Sequence, residues 1–180
     1  EIMSGDWSSD VCSSDLYISV IEGKTGSLIA AAGEYGSLLA GASEEVIQML
    51  ATYGELVGVA FQLADDVIDI VSDGASSGKT QGTDLREGVP TLPTILLNRA
   101  AEAGDESARQ VRTLIEADLS SDDALAAAVS ALAAHPVTQE AWQIAYDWAD
   151  RAIAAIAPLP DSTAKAALES FAHAVVHREG

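Results

Sequence analysis

Three aspartates interrupt the apolar decapeptide FQLADDVIDI at residues 61 to 70, and no proline occurs anywhere before Pro90. Ser43 followed by Glu44 and Glu45 has the chemistry of a helix N-terminus, and the spacing predicts a helix from there to about Ser72. On a helix Gln62, Asp65, Asp66 and Asp69 occupy offsets 0, 3, 4 and 7, a single stripe set among Val59, Phe61, Leu63, Val67, Ile68 and Ile70. A carboxylate removed from water without a partner costs several kcal/mol or shifts its pKa until it is neutral. Two readings follow: the stripe faces solvent on an acidic helix, or a cation sits among the three acids. No lysine or arginine occurs between Glu55 and Lys79 to serve as a local counter-charge. Mg²⁺ supplies one, because it binds through one or two carboxylates and keeps its other positions for water and phosphate oxygens.

The rest of the chain reads as helical too. It has 180 residues, enough for one domain with a real core, and is 48% hydrophobic, only 5% aromatic and very rich in alanine. Alanine favours helix, while the β-branched and aromatic residues that favour strands are sparse. Apolar residues recur at helical spacing from Leu16 to Leu39, through Ile18, Ile21, Leu28, Ala32 and Tyr35. Gly23, Gly26, Gly33 and Gly36 weaken that helix in isolation and open it to a close neighbour, helix or ligand. Residues 73–91 hold four glycines and no periodicity, a loop too long for a simple connector. Further helices are expected at about 91–103, 106–118, 121–134, 137–157 and 161–178. Residues 1–15, with SSD twice and no apolar period, read as a disordered or non-native leader, and the domain as residues 16–180.

Charge and composition limit the partners. Acids outnumber bases 28 to 9, a net charge of −19, so nucleic acid and anionic membrane surfaces would be repelled. The single cysteine, Cys12, excludes an internal disulfide framework and suits a reducing, cytoplasmic compartment. Lacking a run of eighteen apolar residues or a basic-then-apolar N-terminus, the chain is expected to have neither a transmembrane segment nor a signal peptide. Any anionic ligand must bring cations or meet one of the few bases, and two of the three lysines, Lys24 and Lys79, flank the aspartate helix. Acids, magnesium and lysines together make a diphosphate site.

GKT at 23–25, FQLADDVID at 61–69 and GKTQGTDLREGVPTLP at 78–93 resemble, in order and spacing, the C-terminal part of the trans-isoprenyl diphosphate synthases, or polyprenyl synthetases. The resemblance covers most of residues 16–180. It implies an all-α helical bundle of the isoprenoid synthase type around a central cavity, incomplete here because N-terminal helices are missing. It implies a prenyltransferase that joins an allylic diphosphate to isopentenyl diphosphate, head to tail and 1'-4, to make a longer trans-polyprenyl diphosphate. Asp65 and Asp69, supported by Asp66, would then hold Mg²⁺ against the allylic diphosphate, while Lys24 and Lys79 contact that diphosphate. Thr25 and Gln62 would sit beside the reacting carbons. A homodimer is implied for the full-length protein, and a fragment of this extent would be inactive alone.

The departures from the family pattern are specific. A first aspartate-rich motif with its Gly-Lys-Arg segment is not found before Leu16, and Val89 stands where many members carry a lysine. Arg86 is the base that would substitute as a diphosphate contact. Two alternatives differ in class: a non-catalytic subunit of a heteromeric synthase, which would not need the intact aspartates and lysines, and a class I terpene cyclase, whose second metal motif is normally an Asn/Ser/Glu triad. His173 and His177 lie four apart on the last helix but lack a third ligand and read as surface residues. Trp142, Tyr146 and Trp148 read as packing, and Asp122 with Asp123 as the acidic start of a helix.

Overall fold

The computed structural model describes residues 14–72 and 81–177, and every regular element among them is helical. Helix α1 spans Ser14–Ile21, a π-helical turn spans Glu22–Gly26, and α2 spans Ser27–Leu39. The long α3 spans Glu44–Val71, followed by the short α4 at Thr83–Glu87. Then come α5 (Leu92–Glu102), α6 (Glu106–Ile115), α7 (Asp122–Ala134), α8 (Pro136–Ala155) and α9 (Thr163–Val176).

Helix α3 is the axis of the bundle. Ser43 caps it by accepting from the Val46 N–H, and Glu44 and Glu45 favour the positive end of its dipole. At 28 residues it is about 42 Å long by helical rise. It packs chiefly against α2 on one side and α8 on the other, burying Val57, Leu63, Val67 and Ile70 among small residues of α8 such as Ala141, Ala145 and Ala149. Helix α9 closes the far side, where the Tyr53 hydroxyl of α3 donates to the Leu168 carbonyl at 2.8 Å.

The contact of α2 with α3 is a backbone contact. A Cβ built on Gly54 would lie 2.6 Å from the Ile29 carbonyl oxygen, and one on Gly58 2.8 Å from the Gly26 Cα. The glycines therefore admit a neighbouring helix, which offsets their weak helix propensity. This close crossing brings the turn carrying Lys24 and Thr25 against the middle of α3.

The structure corrects several expectations. The continuous helix expected from Leu16 to Leu39 is divided by the π turn, whose closing bond runs from the Ser27 N–H to the Glu22 carbonyl. Two glycines soften that segment, and Gly26 rests on Glu55 and Gly58. The leader expected over residues 1–15 is helical at its last two, since Ser14 and Asp15 form the first turn of α1; residues 1–13, with Cys12, lie outside the described residues. The loop expected at 73–91 contains α4, bounded by Gly82 at φ 73° and Gly88 at φ 68°. Helix α3 is long and apolar enough to cross a membrane by length and composition. Part of its apolar surface, with Val57, Val59, Leu63, Val67 and Ile70, is buried in the core of the bundle.

Candidate functional site

The site is built where the π turn, α3 and the start of α5 meet. The Thr25 hydroxyl donates to Gln62 Oε1 at 3.3 Å, and Gln62 Nε2 donates to Asp66 Oδ1 at 3.2 Å. The other Asp66 oxygen, Oδ2, accepts from the Leu92 N–H at 3.1 Å and from the Tyr17 hydroxyl. Leu92 is the first residue of α5, so a carboxylate from α3 satisfies one of the N–H groups that every helix start leaves open. Asp69 is tied one turn further on, where its Oδ2 accepts from the Asp84 N–H at 3.3 Å. The Gly82 N–H donates to the Asp69 carbonyl at 2.9 Å, and Gln81 donates to the Ile70 carbonyl, folding the returning loop onto the end of α3. Gly82 is required there twice over, for its positive φ and because a Cβ would fall 2.4 Å from Val129.

The stripe is split by depth. Asp66 is buried at 5% exposure, whereas Asp65, Asp69 and Gln62 are half-buried. Burial pushes the Asp66 carboxyl up to about 6 against the hydrogen bonds from Tyr17, Leu92 and Gln62, with Asp84 adding repulsion. Burial likewise raises Asp69, opposed by the backbone bond from Asp84. Tyr17 is pushed far above the usual phenol range by burial and the Asp66 charge, so its proton stays on the oxygen and donates. Among the described residues no three acidic or imidazole side chains converge to hold an ion by themselves. The donor set still suits Mg²⁺, which needs only one or two carboxylates beside water and phosphate oxygens: Asp65 and Asp69 lie one helical turn apart while Asp66 is engaged elsewhere.

The remaining sequence candidates separate. Lys24 is exposed on the π turn and makes no ion pair among the described residues. Lys79 lies outside the described residues. Arg86 is brought to α7, where its guanidinium pairs with Asp122 at 2.6 Å. His173 and His177 are exposed and turned to one another, with ring centroids 6.2 Å apart. Trp142 stacks on Tyr146 at 5.8 Å and Arg151 covers Trp148 at 3.8 Å, the three aromatic rings packed on the core.

Sequence reasoning missed Tyr17, Asp84 and the Leu92 N–H. Tyr17 carries a polar tip within the apolar LYISVI, which is the one local hint available. Asp84 sits in GTD beside the aspartates only after the chain has turned back, and it raises the Asp66 and Asp69 carboxyls by its charge. The structure also joins Ser107 and His135 at 2.9 Å, but Asp105 accepts from Ser107 and not from the imidazole. That trio links the N-caps of α6 and α8 and is not a nucleophile with its base.

The polyprenyl synthetase family profile matches residues 1–132. The nonaprenyl diphosphate synthase of Mycobacterium tuberculosis is 40% identical over 173 residues, covering 96% of this chain and 51% of that protein. The octaprenyl diphosphate synthase of Escherichia coli is 39% identical over 163 residues, covering 91% and 50% respectively. The chain thus spans about half the length of the curated relatives it matches. Among solved structures, the polyprenyl synthase of Caulobacter crescentus, crystallised with calcium and isoprenyl diphosphate, superposes with a TM-score of 0.82 at 33% identity over 93% of this chain and 51% of that one. The geranylgeranyl pyrophosphate synthase of Corynebacterium glutamicum, in complex with the same two ligands, gives 0.80 at 38% identity over 92% and 51%. With its all-α isoprenoid synthase fold and its family match, the chain belongs to the polyprenyl synthetases.

Proposed function

We propose that this chain forms the second-aspartate-motif half of a trans-polyprenyl diphosphate synthase that condenses an allylic diphosphate with isopentenyl diphosphate. The observation that carries the reading is the run Thr25–Gln62–Asp66, which fastens the GKT turn to the aspartate helix while Asp65 and Asp69 remain one turn apart beside it. Asp65 and Asp69 would hold Mg²⁺, and the bound ion would offset the charge that builds on pyrophosphate as it departs. Lys24, exposed on the π turn, is assigned to neutralise phosphate oxygens of the same ligand. Lys79 and Arg86 are assigned the same role, with Arg86 leaving Asp122 to take it. Thr25 gives its proton to Gln62 and so keeps its oxygen lone pairs for a developing allylic cation. A dry, apolar pocket would be needed beside them to exclude the water that would quench that cation. The protein is proposed to work as a cytoplasmic homodimer.

The test uses the protein extended upstream through a first aspartate-rich motif, given isopentenyl diphosphate, an allylic diphosphate and Mg²⁺. Prenyl product is expected, and Asp65→Ala should lower the rate by about 100-fold or more with helix content unchanged. An unchanged rate rejects the metal role. The 180-residue chain alone should give no turnover; labelled product above background would overturn the half-site reading.

A further inference from the structure

We infer that Tyr17 is a positioning residue of this site, acting through Asp66 on the Gln62–Thr25 pair. The inference rests on the reading just proposed, which places Thr25 and Gln62 beside the reacting carbons. Tyr17 belongs to α1 and reaches Asp66 across 49 positions of sequence. With the Leu92 N–H it occupies Asp66 Oδ2, while Gln62 Nε2 occupies Oδ1. Both oxygens of Asp66 are therefore held by donors from three elements: α1, α3 and the start of α5.

Two consequences follow from hydrogen-bond accounting. An ionised carboxylate only accepts, so the Gln62 amide must present its NH₂ to Asp66 and its carbonyl to Thr25. The direction of the Thr25 hydroxyl is set in turn: it donates to Gln62 and leaves its lone pairs outward. The phenol also fixes Asp66 in the interior, so the ion is left to Asp65 and Asp69. Losing the Tyr17 hydroxyl frees a lone pair on a buried carboxylate, and neighbouring donors and the Gln62 amide re-sort to satisfy it.

The experiment compares the 180-residue chain with its Tyr17→Phe variant, which keeps the ring. Two readouts are taken: Mn²⁺-dependent binding of inorganic pyrophosphate, and the side-chain amide resonances of Gln62, identified by their loss in Gln62→Glu. Tyr17→Phe should shift the Gln62 amide and, by freeing Asp66 to turn toward Asp65 and Asp69, should weaken pyrophosphate binding about 10-fold. An Ile18→Val control on the same helix should move neither. In an Asp66→Asn background Tyr17→Phe should add less than about a twofold further loss, since the effect runs through Asp66.

Equal pyrophosphate binding with an unmoved Gln62 amide would overturn the positioning role and leave the proposed function standing. If the unmodified chain fails to bind pyrophosphate with Mn²⁺, the metal–diphosphate reading fails, and the amide alone decides for or against Tyr17. Should Tyr17→Phe unfold, the Asp66→Asn variant reads the same bond from its other end. An unmoved Gln62 amide there counts against the inference.

Discussion

Asp66 is the only acid among the described residues that is buried, and it titrates in a direction that can be measured. Its folded pKa lies at about 6 against 3.8 for an exposed aspartate, with burial as the largest cause. A raised pKa means that the folded protein keeps a proton the unfolded chain has already released. Stability from this group is therefore present below about pH 4 and lost as pH rises through about 6, on the order of 2–3 kcal/mol in all. With divalent ions chelated, urea denaturation from pH 4 to 7 should show the Asp66→Asn variant gaining on the parent protein up to about pH 6, with the difference between them constant above. A constant difference across that range would show that Asp66 ionises as an exposed carboxyl does. The placing of the three aspartates on one stripe was legible in the sequence, because helical spacing alone decides it. That Asp66 turns inward was not, because its partners Tyr17 and Leu92 come from 49 and 26 positions away.

At the scale of elements, glycines decide how closely α2 and α3 approach, and two of them should respond oppositely to the same substitution. Gly54→Ala places a methyl 2.6 Å from the Ile29 carbonyl and 2.8 Å from the Ala30 Cα, both backbone atoms that cannot rotate aside. Overpacking of this kind costs about 1–3 kcal/mol, more than the gain of up to about 1 kcal/mol in helix propensity. Gly36→Ala, within α2, meets nothing within 4 Å and should stabilise by about 0.5–1 kcal/mol. Thermal unfolding should move by a few degrees in opposite directions for the two variants. A shift of the same sign would show that the crossing is looser than described. Pyrophosphate binding should weaken in Gly54→Ala alone, because parting α2 from α3 draws Thr25 off Gln62. The sequence marked Gly23, Gly26, Gly33 and Gly36 as points of close approach. Gly26 and Gly33 do meet α3, whereas Gly23 and Gly36 meet nothing within 4 Å. The sequence left Gly54 and Gly58 on α3 unmarked, since spacing carries no information about which helix arrives. It also concealed the π turn at Glu22–Gly26, because one shifted hydrogen bond scarcely disturbs the apolar period. Helix α4 escaped for a related reason: five residues between two glycines contain too little pattern to read.

For the whole molecule the governing quantity is the net charge of −19. The ion pairs found among the described residues, such as Arg99 with Glu140 and Arg86 with Asp122, lie at the surface, where a pair contributes about 0–1 kcal/mol. Added salt weakens those few attractions and also the repulsion among 28 acids facing 9 bases, and the repulsion is the larger sum. The melting temperature should therefore rise as NaCl goes from low to about 0.5 M, and KCl should do the same, since screening does not distinguish the two cations. A fall would mean that surface pairing outweighs self-repulsion. Magnesium acts differently, because an ion held by Asp65 and Asp69 stabilises by mass action at concentrations too low to screen. At a fixed 0.5 M NaCl, millimolar MgCl₂ with pyrophosphate should raise the melting temperature of the parent chain further. The doubly substituted Asp65→Asn, Asp69→Asn chain should keep the NaCl response and lose this added step. If both chains respond alike to magnesium, the ion is acting on the acidic surface at large and the two aspartates do not hold it.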